Sequence, residues 1–254
     1  MHNKEVSYSS IVTQNLKDHM LYIARLSKWE VHDKFDDSIF IINGTREALF
    51  NFVFCENEYS IEKILNYLRE RNIAATWVSV KVKNVLESYG IKRVSTPKKA
   101  LLDLKNYLLP VDVVPNLKFT VVNSSQLLNQ LDSYTAKIFY HDVGVVSTFF
   151  RGLPSDTSQS KLFLVTLGEQ IVGTCGIYIQ GDVAGFYSDG VLPEYRRRGI
   201  GTQMVLERIK MAQQFKCEYV VAHCMKPSVN IYKRLGFKML GNLYLYTSSA
   251  YKSL

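Results

Sequence analysis

Cysteine is scarce in this chain of 254 residues, and long apolar runs are missing. The four cysteines, Cys55, Cys175, Cys217 and Cys224, form no C-x-x-C pair, so neither a zinc site nor a disulfide framework is indicated. No segment approaches the roughly 20 apolar residues that a membrane span requires, and the amino terminus lacks the basic and apolar regions of a signal peptide. We therefore expect a soluble cytoplasmic protein with buried free thiols, no membrane partner and no metal.

Basic residues outnumber acidic residues. The chain has 31 Lys and Arg against 23 Asp and Glu, which gives a formal net charge of +8 at pH 7. The basic side chains are scattered and are not interleaved with aromatic residues, so the pattern does not favour a nucleic-acid partner. A small polyanionic ligand accounts for the charge equally well.

Chain length and proline positions predict two domains. Single hydrophobic cores usually belong to domains of about 100 to 150 residues, so 254 residues suffice for two. Pro110 and Pro115 bracket a stretch that can continue neither a helix nor a central strand. We therefore place a linker at residues 110–116, one domain at 1–109 and a second at 117–254.

The second domain alternates strand and helix signals. Strands are predicted at 161–167, 171–179 and 183–191, and the short glycine-containing connections between them are typical of antiparallel hairpins. Apolar residues then recur at helical spacing, and a β-branched run follows at 218–224. A crossover helix between two strands requires that the strands be parallel. We expect an α/β (α+β) fold with a mixed, largely antiparallel sheet flanked by helices.

The segment after the strand at 183–191 has the features of a phosphate-binding loop. It reads Val191-Leu192-Pro193-Glu194-Tyr195-Arg196-Arg197-Arg198-Gly199-Ile200-Gly201-Thr202. The two glycines allow a ligand to approach the backbone, and the first turn of the following helix presents unpaired N–H groups at the positive end of its dipole. The arginines add forked donors that suit phosphate oxygens. The alternative is a tight strand-to-helix turn beside a solvated basic face.

Two motifs in this half resemble the signatures of the GNAT superfamily of N-acetyltransferases. Arg196, Gly199 and Gly201 stand at the defining positions of the cofactor motif Arg/Gln-x-x-Gly-x-Gly/Ala. The stretch 231–237 is similar to the second signature, Leu-Tyr-x-x-x-Gly-Phe. The resemblance covers roughly residues 117–254. It implies a splayed pair of parallel strands that holds acetyl-CoA, and transfer of the acetyl group to a primary amine of a small molecule or peptide.

The resemblance also implies which residues contact the coenzyme. They are Val191, Leu192, Arg196, Arg197, Arg198, Gly199, Ile200, Gly201, Thr202 and Asn230. The first two would pair through their backbone with the pantetheine arm, and the N–H groups from 196 to 202 would hold the diphosphate. Asn230 could reach the pantetheine, whereas Met225 stands where many family members carry an asparagine.

Acyl transfer to an amine requires a neutral nucleophile, a polarised thioester and a proton for the departing thiolate. A phenol can supply that proton. Tyr232 matches the family's proton-donating tyrosine, so it is predicted to be the general acid. The alternative is an aromatic side chain that only packs a helix face.

The general base is not specified by the resemblance. Family members often use a glutamate, but this sequence has Gly185 and Val220 at about those positions. Asp189 and His223 are the remaining candidates, and strand alternation predicts Asp189 on the same face as Val191 and Tyr187. Structural roles for both residues, or direct capture of a neutral amine through water, are the alternatives.

The first domain contains an echo of the second. A succession of helix, strand, short helix and glycine runs from 61 to 91 and again from 204 to 237, which suggests a tandem repeat. Leu86 then falls at the position of Tyr232, so the first copy is predicted to be a degenerate GNAT-like domain without proton donor or phosphate loop. The alternative is an unrelated α/β domain.

A second function also fits the sequence. A non-catalytic module that binds and senses acyl-CoA would keep the phosphate loop and would need no base. The retained Tyr232 favours the enzyme over this module.

Overall fold

A computed structural model of the chain describes residues 2–35, 38–55, 57–79, 83–110, 114, 116–151 and 158–248. In chain order its helices and strands are α1 (His2–Leu26), β1 (Glu30–Phe35), β2 (Ser38–Ile42), β3 (Phe52–Phe54), α2 (Tyr59–Glu70), β4 (Ala75–Ser79), α3 (Lys83–Ser88), β5 (Lys92–Ser95), β6 (Lys98–Asp103), β7 (Leu117–Val121), α4 (Ser125–Phe139), α5 (Val143–Phe150), β8 (Ser160–Leu167), β9 (Gln170–Gln180), β10 (Val183–Val191), α6 (Ile200–Gln214), β11 (Tyr219–Cys224), α7 (Val229–Arg234), β12 (Lys238–Asn242) and β13 (Tyr244–Ser248).

The described residues divide into two compact units. The large unit consists of the described residues within Met1–Leu16, Lys98–Phe150 and Pro154–Gly241. The small unit consists of the described residues within Lys17–Pro97, Arg151–Leu153 and Asn242–Leu254. Helix α1 therefore contributes its first part to the large unit and its second part to the small unit.

The large unit is built on a seven-stranded sheet with the order β12-β6-β11-β10-β9-β8-β7. Strands β8 to β10 form the predicted antiparallel meander, and β7 pairs antiparallel with β8. Strands β10 and β11 are parallel, as the crossover helix α6 between them requires. Helix α6 buries Met204, Val205, Ile209 and Ala212 in the core. The expected α/β (α+β) class with a mixed, largely antiparallel sheet is confirmed.

The small unit repeats this strand order. Its sheet runs β1-β2-β3-β4-β13-β5, with antiparallel β1, β2 and β3 followed by the parallel pair β3 and β4. Strand β13 pairs antiparallel with β4, just as β6 pairs antiparallel with β11 in the large unit. The order of these strands in the small unit thus matches that of β8, β9, β10, β11, β6 and β12 in the large unit, and the directions of the first five agree.

The short helices α3 and α7 end with the same type of backbone hydrogen bond. The amide of Ile91 donates to the carbonyl of Leu86 at 3.2 Å, and the amide of Phe237 donates to the carbonyl of Tyr232 at 3.0 Å. The glycine before each donor has a positive φ, which lets the chain turn out of the helix. The geometry thus supports the predicted pairing of Leu86 with Tyr232.

The predicted domain boundary does not coincide with the division between the units. Of the expected linker at 110–116, residues 111–113 and 115 lie outside the described residues. Strand β6 precedes this stretch but belongs to the large unit, while β13 from the end of the chain belongs to the small unit. The reason is burial: consecutive residues Ala100, Leu101 and Leu102 are all buried, which requires an interior position in a sheet covered on both faces.

Three expectations from composition can be compared with the described residues. All four cysteines are free and buried, as the sequence predicted. Within the described ranges, no helix has the length and apolar character needed to cross a membrane. The same part of the chain contains no group of three or more His, Cys, Asp or Glu residues arranged to hold a metal ion.

Candidate functional site

The parallel strands β10 and β11 separate at their carboxyl ends. Their register pairs run from Val183↔Tyr219 to Phe186↔Ala222, whereas β10 continues to Val191, where it pairs with Gly173 of β9. The last part of β10 therefore has an open edge on the side of β11. This is the splayed parallel pair that the sequence predicted.

Two residues, Val191 and Leu192, are predicted to bind a ligand through their backbone at this open edge. Only Val191 has a backbone group that is available there. The amide of Leu192 donates to the carbonyl of Val172 at 2.9 Å, and the carbonyl of Leu192 accepts from the amide of Tyr195 at 2.9 Å. Both backbone groups of Leu192 are thus engaged within the fold. The N–H group of Val191 points to the opposite edge of the strand, because successive residues alternate in direction, whereas its carbonyl accepts a hydrogen bond from Arg196.

The loop from β10 to α6 is fixed by its own arginines. Arg196 donates through Nε to the carbonyl of Val191 at 2.9 Å, and Arg198 donates through Nη2 to the carbonyl of Glu194 at 3.1 Å. Both guanidinium groups, like that of Arg197, lie in exposed residues. The loop thus holds three cations at the surface next to the start of α6.

The start of α6 has the geometry of an anion-binding site. Gly199 precedes the helix with φ of 80°, a left-handed conformation that favours glycine. The first turn of a 15-residue helix leaves its N–H groups outside the helix's own hydrogen bonds. These donors, the positive end of the helix dipole and the exposed arginines fit a diphosphate. The remaining predicted ligand, Asn230, is exposed in the first turn of α7.

Tyr232 lies against the splayed part of β10. Its side chain is 5% exposed, and its hydroxyl donates to Oδ2 of Asp189 at 2.8 Å. Burial and the charge of Asp189 raise the pKa of Tyr232 well above 10, although the guanidinium of Arg208 acts in the opposite direction. The hydroxyl is therefore a neutral phenol over the physiological pH range.

Asp189 also forms a bidentate ion pair with Arg208 of α6. Nη2 of Arg208 donates to Oδ2 at 2.7 Å, and Nη1 donates to Oδ1. The side chain of Arg208 has no exposed surface, whereas that of Asp189 is 26% exposed. Sequence reasoning did not single out Arg208, although a signal was present: it stands four residues after Met204 and four before Ala212, on the apolar stripe of the helix.

Asp189 does not share a strand face with Tyr187, contrary to simple alternation. The Tyr187 hydroxyl donates to Asn15 of α1, while Asp189 faces α6 and α7. Alternate residues of β6 and β11 pack against α1 and α6, so these helices cover opposite faces. Tyr187 and Asp189 lie on opposite faces because β10 contains a bulge between them. The register shifts between Tyr187 and Gly190, and Ser188 has φ of 56°. One extra residue reverses the side-chain alternation.

His223 lies on the α1 face, one residue beyond the last register pair of β10 and β11. Both ring nitrogens are buried and have no hydrogen-bond partner among the described residues. Burial, and to a lesser extent the nearby charge of Lys99, lower its pKa from 6.5 to about 4. The ring is therefore neutral at physiological pH. The ring of Tyr187 stacks beside it, with centroids 6.3 Å apart.

The glycine at position 185 is explained by a side chain from α1. Asn15 accepts the hydrogen bond of the Tyr187 hydroxyl at 2.7 Å, and a Cβ added at Gly185 would overlap its Oδ1. A glutamate at 185 would not fit beneath these two side chains. Sequence reasoning could not find this contact, because the local pattern around Asn15 gives no signal of a partner 170 positions away in the chain.

We expect acid to destabilise the protein through His223. Between about pH 6.5 and about pH 4 the ring is protonated in the unfolded chain and neutral in the folded chain. The unfolded state therefore binds more protons, and stability decreases as the pH is lowered through this range. Urea-unfolding midpoints at about pH 7 and about pH 5 should differ less in His223→Gln than in the wild type. The exposed His141→Gln variant is the control. Equal pH dependence in all three proteins would contradict this prediction.

Comparison with known proteins agrees with this geometry. Residues 132–237 match the family model described as the acetyltransferase (GNAT) family. No curated protein matches the sequence of the chain. The fold is similar to that of a GCN5-related N-acetyltransferase from Kribbella flavida, with a TM-score of 0.70, 14% identity and 94% of each chain covered.

Two further structures share the fold. A GCN5-related N-acetyltransferase from Sphaerobacter thermophilus has a TM-score of 0.59 and 12% identity, covering 85% of this chain and 78% of that one. A tandem GNAT protein from the clavulanic acid biosynthesis pathway also has a TM-score of 0.59, with 11% identity, covering 85% of this chain and 79% of that one. Residues 132–237 are thus similar to the acetyltransferase (GNAT) family, and the chain shares the fold of these structures.

Proposed function

We propose that the large unit transfers an acetyl group from acetyl-CoA to a primary amine. The observation that carries this proposal is the loop of arginines and glycine that begins α6 directly after the open end of β10. Anionic ligands bind at such helix starts because N–H groups and the dipole act together. A bound diphosphate there would direct the rest of the coenzyme towards the splayed strands.

In this proposal, the chain binds the coenzyme mainly through backbone groups. The N–H groups from Arg196 to Thr202 hold the diphosphate, and the exposed arginines of the loop add positive charge. The N–H group of Val191, on the open edge of β10, pairs with the pantetheine arm. Asn230 is close in sequence to Tyr232 and is a further candidate contact, whereas both backbone groups of Leu192 already form hydrogen bonds within the fold.

The proposed reaction conserves protons. The amine nitrogen forms a bond to the acetyl carbon, the carbon–sulfur bond breaks, the amine loses a proton and the CoA thiolate gains one. Tyr232 supplies the second proton and recovers it from solvent. Because its hydroxyl hydrogen points to Asp189, it must turn towards the sulfur during the reaction.

Of the two candidate bases, the geometry favours His223. Asp189 already accepts hydrogen bonds from Arg208 and Tyr232, and it lies on the opposite face of the sheet from His223. His223 is neutral at physiological pH and has an unengaged nitrogen lone pair. A pKa of about 4 makes it a weak base, so its proposed role is to orient an amine that arrives neutral and to accept its proton as the bond to carbon forms.

We propose that the small unit is a degenerate copy without acetyltransferase chemistry. Leu86 stands at the position of Tyr232 and is fully buried, and a leucine cannot donate a proton. The helix after β3 begins at Tyr59 and is preceded by no glycine loop among the described residues.

A non-catalytic acyl-CoA sensor is the second candidate function. The observation that favours it is the hydrogen bond from Tyr232 to Asp189, because a phenol held in this way can be purely structural. Calorimetric titration with acetyl-CoA followed by a thiol-release assay with a panel of primary amines separates the two functions. Heat of binding without thiol release from any amine supports the sensor, and absence of binding contradicts both.

A charge substitution at the start of α6 tests the diphosphate site. We expect Thr202→Asp to weaken acetyl-CoA binding about tenfold or more, since a carboxylate in the first turn repels the diphosphate and competes for the same amides. Thermal stability should not fall, because acidic residues are favourable at a helix N-terminus. The matched control is Thr202→Asn, because asparagine has the shape of aspartate without its charge. This variant should bind like the wild type. Equal affinities of the Asp and Asn variants would place the diphosphate elsewhere.

A further inference from the structure

We propose that Arg208 and Asp189 are positioning residues that hold the Tyr232 hydroxyl at the open end of β10. This inference rests on the acyl transfer proposed above. Neither residue contacts the reacting atoms in this arrangement. Both act through Tyr232, whose hydroxyl is their shared end point.

The guanidinium of Arg208 is fixed by more than its counterion. Nε donates to the carbonyl of Met204 at 3.0 Å, and Nη1 donates to the carbonyl of Gly176 on β9 at 2.9 Å. These two backbone bonds set the plane of the fork, and the bidentate pair transmits that orientation to Asp189. The carboxylate then has one defined direction in which to accept the hydrogen bond of Tyr232.

The bulge in β10 is what brings the carboxylate into this network. Ser188 adopts a left-handed conformation, and its carbonyl accepts the hydrogen bond of the Thr174 hydroxyl at 3.2 Å. With regular alternation, Asp189 would face α1 instead of Arg208 and Tyr232. The bulge therefore places a charged pair beside the phenol within the splayed part of the strand.

Stability alone is a poor reason for such a pair. Removing two charges from water costs much of what their attraction returns, and apolar residues of similar volume often stabilise a core equally well. What the pair adds is direction: a rigid carboxylate orients one hydroxyl in a way that apolar side chains cannot. A positioned hydroxyl is useful at the point where the sulfur of a thioester is expected.

The titratable groups that face Tyr232 come from three elements. They are Asp189 of β10, Arg208 of α6 and Cys224 of β11, and Cys175 of β9 lies close to the ion pair. Burial and Asp189 raise the pKa of Tyr232, Arg208 lowers it and Cys224 raises it. Loss of the carboxylate alone should therefore lower the pKa of Tyr232 most, and loss of both charges should lower it less.

Nuclear magnetic resonance with tyrosine labelled by ¹³C at Cζ tests the inference directly. The resonance of Tyr232 is assigned by its absence in Tyr232→Phe. In Asp189→Asn we expect it to titrate about one to three pH units below its midpoint in the wild type. In the double variant Asp189→Asn/Arg208→Met, the midpoint of Tyr232 should lie between those of the wild type and Asp189→Asn. The double variant keeps the test valid if the single variant does not fold. The matched control is Asp182→Asn, at an exposed carboxylate before β10. In this variant Tyr232 should titrate as it does in the wild type.

The outcomes separate this inference from the proposed function. If Tyr232 titrates alike in the wild type and both Asp189 variants, the positioning role is contradicted, even when the wild type acetylates an amine. If the titration shifts as expected but no amine releases thiol from acetyl-CoA, the proposed catalysis fails while the network stands. When catalysis is present, the alkaline limb of kcat should move to lower pH in Asp189→Asn, a change that lost packing alone would not produce.

Discussion

Asp189→Asn is expected to lower the free energy of unfolding by about 3 kcal/mol. The substitution leaves the fully buried guanidinium of Arg208 without a counterion, and an uncompensated buried charge is among the most costly defects in a protein core. The lower end of the usual range applies because the Asp189 side chain is 26% exposed, so water can replace part of the lost interaction. Urea unfolding followed by circular dichroism measures the change.

The double variant Asp189→Asn/Arg208→Met shows whether the charge is the cause. It removes both members of the pair, so most of the lost stability should return. Asp182→Asn, an exposed site on the same hairpin, should unfold like the wild type. If the double variant is as unstable as Asp189→Asn, then the loss comes from packing at position 189 and the buried-charge explanation is wrong.

Tyr232→Phe is expected to reduce kcat about 10²- to 10⁴-fold, the usual contribution of a positioned general acid. The KM for acetyl-CoA should change little, because the diphosphate contacts proposed for residues 196–202 do not involve the phenol. The fold should remain intact, since Asp189 keeps its bidentate pair with Arg208 after the hydroxyl is removed. Steady-state kinetics with the best acceptor from the amine panel provides the measurement.

A matched hydroxyl deletion controls for the integrity of α7. The Tyr107 hydroxyl donates to the carbonyl of Leu235 at 3.0 Å, immediately after the helix that carries Tyr232. Tyr107→Phe should therefore loosen the end of this helix and leave kcat close to that of the wild type. An unchanged kcat in Tyr232→Phe would remove the acid role, and an equal loss in both variants would assign the effect to helix position.

The loop proposed to bind phosphate could be identified from the sequence because its features are local. Arg196, Gly199 and the first turn of α6 lie within a few residues of one another, and backbone donors need no particular side-chain partner. For the same reason, the meander, the crossover helix and the parallel pair follow from short-range apolar periodicity and connection length. These parts of the fold match the structure closely.

The position of Asp189 could not be found in this way. Strand alternation places it with Tyr187, but the bulge at Ser188 moves it to the opposite face. Serine gives no sequence signal for a left-handed conformation, which is more typical of glycine or asparagine. The ion pair with Arg208 and the hydrogen bond to Tyr232 both depend on this one backbone torsion.

Local patterns in the sequence were sufficient to predict the meander, the crossover helix with its parallel strand pair, the loop proposed to bind phosphate, the place of Tyr232 in its helix and the echo of that succession in the first half. Three features became visible in the folded chain alone: the sheets that receive β6 and β13, the face that carries Asp189, and the packing of Asn15 of α1 above Gly185. The difference is one of distance along the chain: apolar periodicity acts within one element, whereas the buried polar side chains of this protein contact partners on other elements, such as Asn15 and Gly185.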